Sequence, residues 1–453
     1  MRTASMGAWL LLATMAVGTQ AEPAKTPTDT TLAKILEQME AMRSEIASLK
    51  SEVAGLKSAD ADLGEAAAAE ATRKSNGLRT LPERAQEFEA KKVAPTFGGQ
   101  YTKPFLARLG RDTYLGGYVD VFFKDEERRD KFFDQQRLVP FIYGDISDLF
   151  KFACEIEIEH GGPSSPDGGD VAVEFATLDM TFSEAVNFRS GIILSPLGKL
   201  NLVHDSPLQD LTERPIADRL IIPTTLSEPG VGFFGTLYPG EEDRLDYEIY
   251  VVDGFDGLRK NGTALISRAN GLRSARGGEA VISNNLSTVA RVTYSPFLGL
   301  EVGASTHNGK YDENHANWLG IHAVDFTWQH GAFELLGELA YAHIGRDDFA
   351  RRRGIPDDFW GGWIQGNWHF MPELLQHALP KVFTEESTFT LVGRWEYDDI
   401  DDRTLTRGTV GLNFRYTEDT VIKFDYQFNT GWGDFSDDRD DNDAFLFSVA
   451  SYF

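Results

Sequence analysis

Two periodicities divide the chain. Between Leu32 and Leu56 apolar side chains recur at alternating steps of three and four, through Leu32, Ile35, Met39, Met42, Ile46, Leu49, Val53 and Leu56. This is a heptad seam, and it predicts an α-helical coiled coil over 22–60. One seam position holds Leu32, Met39, Ile46 and Val53 and the other Ile35, Met42, Leu49 and Leu56, a mixture that selects neither dimer nor trimer. A helix packed on its own domain is the competing reading, but Ala66-Ala67-Ala68-Ala69 and the charged residues around the seam offer it no partner surface. Residues 61–100 are rich in Ala, Lys and Glu without alternation and read as a linker.

After residue 113 the period becomes two. Phe150, Phe152, Cys154, Ile156 and Ile158 alternate with Lys151, Glu155, Glu157 and Glu159; Phe389, Leu391, Gly393, Trp395 and Tyr397 alternate with Arg394, Glu396 and Asp398. The pattern recurs at Ile422, Phe424, Tyr426 and Phe428 against Lys423, Asp425 and Gln427. About sixteen such strands are expected, each long enough to cross a bilayer when tilted. Tight connections such as Ser183-Glu184-Ala185, Ser295-Pro296-Phe297 and Gln329-His330-Gly331 alternate with longer polar ones such as Lys124 to Asp134, Gly161 to Asp170, Asp253 to Asn284 and Gly431 to Asp443. A soluble sandwich also alternates, but its connections follow no such length rule. The pattern predicts an all-β fold over 101–453, a transmembrane antiparallel β-barrel, with Met371 to Glu386 as a long connection where a short one belongs.

Composition changes the picture in three ways. The 453 residues carry 44 Lys+Arg and 70 Asp+Glu, a net charge of −26, and nearly all of the excess lies in 101–453. This argues against a nucleic-acid partner, which needs clustered basic side chains. Arg2, the apolar run Ala8 to Val17 and the small residues Thr19 and Ala21 read as a signal peptide over 1–21, which implies export. The chain ends on Phe445-Leu446-Phe447-Ser448-Val449-Ala450-Ser451-Tyr452-Phe453, a last strand with a terminal aromatic of the kind outer-membrane barrels present to the barrel-assembly machinery. A periplasmic stalk, outer-membrane lipid around the barrel and a bacterial outer-membrane location follow as expectations.

Leu115-Gly116-Gly117-Tyr118-Val119-Asp120-Val121, Phe152 to Gly162, Arg189-Ser190-Gly191 with Ser195-Pro196-Leu197-Gly198, Gly230 to Gly235, Tyr247 to Gly257 and Phe453 together resemble the phosphate-selective porin O and P family. The resemblance covers residues 95–453 and implies a sixteen-stranded porin, assembled as a homotrimer, with a constricting third external loop. That family's pathway relies on arginines and lysines, and this chain departs from it. The strand faces assigned to the lumen carry Lys151, Arg189, Arg291, Arg394, Arg415 and Lys423. They also carry Asp120, Glu155, Glu157, Glu159, Asp179, Asp246, Glu248, Glu301, Glu334, Glu338, Glu396 and Asp425. A carboxylate-rich pore concentrates cations, although a few basic groups at the narrow point reverse the local preference.

The third long loop, 195–228, is unusually apolar and is expected to fold onto the barrel wall. Within it Lys199, His204, Arg214 and Arg219 face Asp205, Asp210, Glu213, Asp218 and Glu228, so that a transverse field would act on passing solutes. The competing reading has Arg214 and Arg219 pinned to wall carboxylates such as Glu155 or Asp179. Asp398 to Asp402 and Asp434 to Asp443 read as solvated external loops, and Trp360, Trp363, Trp368 and Tyr397 as an interfacial girdle. The histidines show no HExxH spacing and no Gly-x-Ser-x-Gly elbow occurs, so no enzyme activity, cofactor or metal is expected. The function expected is passive diffusion of small hydrophilic solutes or ions. The alternative from another class is a structural envelope protein whose coiled coil tethers the outer membrane to the cell wall.

Overall fold

The computed structural model describes residues 107–108, 113–127, 129–161, 169–240, 242–276, 285–431 and 442–453, all within one compact unit, Gly77–Phe453. The expected signal segment 1–21, coiled coil 22–60 and linker 61–100 lie outside the described residues.

Among the described residues, sixteen long strands form one antiparallel sheet. They are β1 Thr113–Glu126, β2 Phe132–Asp145, β3 Phe150–Gly161, β4 Asp170–Thr181, β5 Asn187–Leu194, β6 Ser227–Leu237, β7 Arg244–Val252 and β8 Ser287–Phe297, followed by β9 Leu300–Lys310, β10 Trp318–His330, β11 Phe333–Ile344, β12 Asp358–Phe370, β13 Thr388–Ile400, β14 Thr404–Thr417, β15 Thr420–Thr430 and β16 Ala444–Tyr452. Each pairs with its neighbours in sequence. The ring closes where β16 meets β1, with Val449 opposite Val121 and Tyr452 opposite Tyr118. Closure leaves no unpaired edge, which a bilayer interior would not tolerate.

The two faces of each strand decide what the barrel is built for. On β13, Arg394 and Glu396 point inward and are 6% and 0% exposed, while Leu391 and Trp395 point outward at 44% and 56%. On β15, Lys423, Asp425 and Gln427 are buried while Phe424, Tyr426 and Phe428 are exposed. A water-soluble sandwich has the opposite arrangement, so this is a barrel whose solvent is lipid. Trp318 and Trp360 stand at one end of their strands and Trp328 and Trp368 at the other, all exposed, as two aromatic belts require. At the second belt the rings run on through Phe333, Trp368, Phe370, Phe389 and Phe414, with successive centroids 6.4, 4.8, 5.8 and 4.9 Å apart.

Connections are tight at one rim. The turns at 298–299 and 331–332 hold two residues each, and Gly299 and Gly331 sit there at φ 94° and 59°, where a side chain would be strained. The long connection 371–387 does stand on this rim and contains the short helix Glu373–Ala378. The opposite rim is less regular than expected. The β1–β2 connection is only 127–131, and β13–β14 is 401–403. Of the run Asp398 to Asp402, expected as an external loop, only Asp401 and Asp402 lie in the connection. β13 extends to Ile400, paired with Phe359, and turns Asp398 into the barrel at 0% exposure. Most of Asp434 to Asp443 lies outside the described residues.

Candidate functional site: an internal loop pinned to the barrel wall

The connection between β5 and β6, residues 195–226, runs inside the barrel rather than over its mouth. Its apolar residues drive this: Leu197, Ile216, Ala217, Ile221, Ile222 and Leu226 are buried in one cluster. The wall meets them with Leu319 and Ile321 of β10, Ala340, Ala342 and Ile344 of β11 and Phe359 of β12. A second insertion, 253–286, adds Phe255, Leu258, Ile266, Leu272 and Ala275 to the same cluster. The lumen is therefore not polar throughout. Burial of these side chains at about 25 cal/mol per Å² is the main force holding both loops in place.

Polar wall groups then fix the loop's register. Glu396 accepts from Arg394 Nε at 2.8 Å, from Arg407 Nε at 2.8 Å and from the Ile216 backbone N–H at 2.7 Å. Arg394 donates to the Glu213 carbonyl at 2.7 Å and Arg407 to the Arg214 carbonyl at 2.8 Å. Lower on the wall Asp425 accepts from Thr212 N–H at 2.6 Å, Lys423 donates to the Ser206 carbonyl at 2.8 Å, and Arg415 donates to the Pro207 carbonyl at 2.5 Å. On the far side Glu338 accepts from Lys199 N–H at 2.8 Å, and Glu228 bonds both Ser195 and His307. Unpaired backbone groups inside a barrel are costly, and these contacts satisfy them.

The loop's own charged residues take separate places. Lys199 reaches Glu301 at 2.9 Å and Thr327 at 2.6 Å. Asp205 accepts from Tyr452 OH at 2.7 Å. Asp218 accepts from Trp363 Nε1 at 2.7 Å, and its burial pushes its carboxyl up to about 7. Trp363 thus faces the interior and does not belong to the girdle. His204 donates Nδ1–H to the Asn201 carbonyl at 2.9 Å and turns Nε2 to the Glu174 carboxylate. Ligand-type atoms of Glu155, Glu174 and His204 lie within 4.8 Å of one another and are buried.

Arginines gather at the long-loop end. Arg137 on β2 is paired with Glu157 at 2.7 Å and Glu159 at 2.8 Å. Arg214 lies within 3.4 Å of the Thr225 hydroxyl, and Arg219 lies 3.7 Å from Glu213 of the same loop. From the second insertion Arg273 donates to the Thr224 carbonyl at 2.9 Å and Arg276 to the Thr225 carbonyl at 2.7 Å. Burial and the neighbouring Arg137 hold Arg214 down to about 10, and burial with the adjacent Arg276 does the same for Arg273. These guanidiniums repel one another. Neither Arg214 nor Arg219 pairs with Glu155 or Asp179.

The tight-turn end is different. A cavity of about 570 Å³ reaches from the wall to the turns at 182–186 and 238–243, and Glu184, Asp246, Glu248, Arg244, Arg291 and Glu301 line it. The cations at this end are matched. Arg189 makes a bidentate pair with Asp179 at 2.8 and 2.6 Å, Arg291 one with Asp325 at 2.6 and 2.8 Å, and Arg244 reaches Asp246 at 3.0 Å. Asp120 is buried on the lumen face of β1.

Five residues here were not singled out from the sequence. Arg407 shares the inward parity of Arg415 on β14 and could have been found by extending the alternation. Arg137 is hidden because the stretch of β2 that follows it, Leu138 to Tyr143, is apolar on both faces. Glu174 is an extra residue at a β-bulge, opposite the step from Glu155 to Ile156, and nothing in the sequence marks it. Arg273 and Arg276 lie in an insertion noticed only for its length.

No protein-family model matches the chain. An uncharacterised protein of Aquifex aeolicus (strain VF5) is 32% identical over 265 residues, which is 56% of this chain. The match spans 58% of that relative's length. Among solved structures, an anion-selective porin from Comamonas acidovorans is 12% identical over 75% of this chain and 99% of that one, with a TM-score of 0.48. The outer-membrane channel DcaP of Acinetobacter baumannii is 10% identical over 77% and 99%, with a TM-score of 0.45. OmpT, an outer-membrane protein of Vibrio cholerae solved in a trimer form, is 10% identical over 75% and 99%, with a TM-score of 0.47.

Proposed function

We propose that this protein is an outer-membrane porin through which small hydrophilic solutes diffuse passively, its aperture set by the internal loop 195–226. The observation that carries this reading is the loop itself. It is threaded through a closed barrel and hydrogen-bonded by wall side chains from β13, β14 and β15, beside a charged cavity that reaches the tight-turn rim. Such a loop narrows a pore without chemistry at any bond, and selectivity then follows from width and fixed charge. Arg214, Arg219, Lys199, Asp205 and Asp218 on the loop, with Arg189, Arg291, Glu157 and Asp179 on the wall, are the residues that would face or shape the solute's path. Arg394 and Arg415 would act by holding the loop.

The finer assignments belong to the same proposal. Residues 22–60 would form a periplasmic stalk and 61–100 its linker, on the side of the tight turns, where β1 starts and β16 ends. Assembly as a homotrimer and recognition of Phe453 by the insertion machinery complete it. Membership of the phosphate-selective porins is supported by the arginines at the long-loop end and opposed by the acidic cavity at the other. The apolar plug formed by both insertions favours a second reading, a sealed barrel serving as an envelope anchor through the coiled coil. Proteoliposome swelling separates the two. A porin admits small sugars and amino acids at rates that fall with solute size, whereas an anchor leaves the vesicles impermeable.

A further inference from the structure

Fixed charges of opposite sign stand at the two ends of this lumen. At the long-loop end Arg214, Arg273 and Arg276 are held by a hydroxyl and by backbone carbonyls rather than by carboxylates. Of the carboxylates near them, Glu157 and Glu159 are engaged with Arg137 and Glu174 faces Arg214, so among the described lumen residues four arginines there meet three carboxylates. Toward the tight-turn end Arg189 pairs with Asp179, Arg291 with Asp325, Arg244 with Asp246 and Lys199 with Glu301. Glu184 and Glu248 in the cavity, and Glu242 on the adjoining turn, add negative charge beyond those pairs.

Resting on the porin reading above, we propose that this lumen is a bipolar conduit that rectifies ion flow. Where a cation-rich and an anion-rich zone lie in series, a voltage of one sign drives mobile ions of both signs into the junction and raises its conductance. The opposite sign sweeps them out and lowers it. Potentials of several kT at such linings are ordinary in low-dielectric walls. At ~0.1 M salt the screening length is about 10 Å, comparable to a narrow lumen, and at ~1 M it is about 3 Å, so the asymmetry belongs to low salt. A further consequence concerns solutes. A small ion of either sign meets one repulsive zone, whereas a zwitterion presents its negative group to the arginines and its positive group to the carboxylates. Zwitterionic solutes such as amino acids are therefore favoured over ions of equal size.

The test is the single-channel current–voltage curve of the full-length protein in a planar bilayer with symmetric potassium chloride. The expected result is a current ratio of roughly two- to threefold between opposite voltages at ~0.1 M salt, collapsing toward one at ~1 M. Glu184→Gln with Glu242→Gln, both at exposed turn positions, should lower that ratio at ~0.1 M salt. Arg276→Gln should lower it from the other end, and the turn variants stand in for it if the loop is disturbed. A linear curve at low salt overturns the proposal, as does rectification that ignores the turn variants. A folded protein that never conducts instead removes the porin reading beneath it.

Discussion

Glu396 is the side chain on which the internal loop most depends, and replacing it by alanine makes a quantitative test. Its carboxylate is fully buried and receives two arginine side chains and the backbone N–H of Ile216. Removing one partner from a buried charge network costs about 3–5 kcal/mol, because the remaining charges stay desolvated. At about 1.4 kcal/mol per decade, the population with this part of the loop displaced should rise roughly 150- to 4000-fold. Ala217, on the short helix Ile216–Leu220 that Glu396 anchors, is 1% exposed and gives the readout. A cysteine placed there, in a background where the native Cys154 is serine, should react with a soluble maleimide at least a hundredfold faster in Glu396→Ala than in the parent. Glu396→Gln, which keeps an acceptor oxygen for Ile216, should fall between the two. Equal labelling rates in the alanine variant and the parent would refute the claim that the wall holds the loop.

Three further outcomes follow from named contacts. Asp218 is held protonated by burial up to about pH 7, above its unfolded value, so deprotonation favours the displaced loop. Docking should be firmest below the ordinary Asp range and weaken as pH rises to about 7, and Asp218→Asn should flatten this dependence when cysteine labelling at Ala217 is followed between pH 5 and 8. At barrel closure, a Cβ added to Gly117 would lie 2.5 Å from the Val139 carbonyl and 2.6 Å from the Phe453 ring. Gly117→Val should therefore lower the fraction of protein that shows a heat-modifiable folded band on electrophoresis. On the lipid face Val410→Arg, midway along β14, should destabilise the barrel by roughly 2–4 kcal/mol in denaturant titrations in bilayers, against about 0–1 kcal/mol for Trp368→Arg at the interface.

Strands with strict alternation were readable from their residues alone. On β13 and β15 the apolar set meets lipid and the charged set lines the lumen, so period and face were both fixed by sequence. Alternation disappears where a strand backs the plug. Leu319, Ile321 and Ala323 point inward on β10, and Ala340, Ala342 and Ile344 do so on β11, so along these stretches the lumen face is as apolar as the lipid face. Alternation cannot distinguish the two there. Loop 195–226 was recognisable by composition because eleven Leu, Ile and Val residues in a surface loop have no other use, yet its partners were not. Those partners are backbone groups bonded by side chains some two hundred residues away, as with Asp425 and Thr212. Charge suggested a lumen that concentrates cations. Pairing changes that reading, since the wall arginines and carboxylates largely satisfy each other or the loop, and what remains differs in sign between the ends.

Whether the barrel is a loop-narrowed pore is decided by the conductance of purified, folded protein in a planar bilayer, taken beside Glu396→Ala. Discrete, stable current steps are expected for the parent and larger or flickering steps for the variant, because the loop that narrows the lumen is then released. Silence from both proteins, each shown by a strand-type circular dichroism spectrum to be folded, would contradict the porin reading and identify the barrel as a sealed anchor.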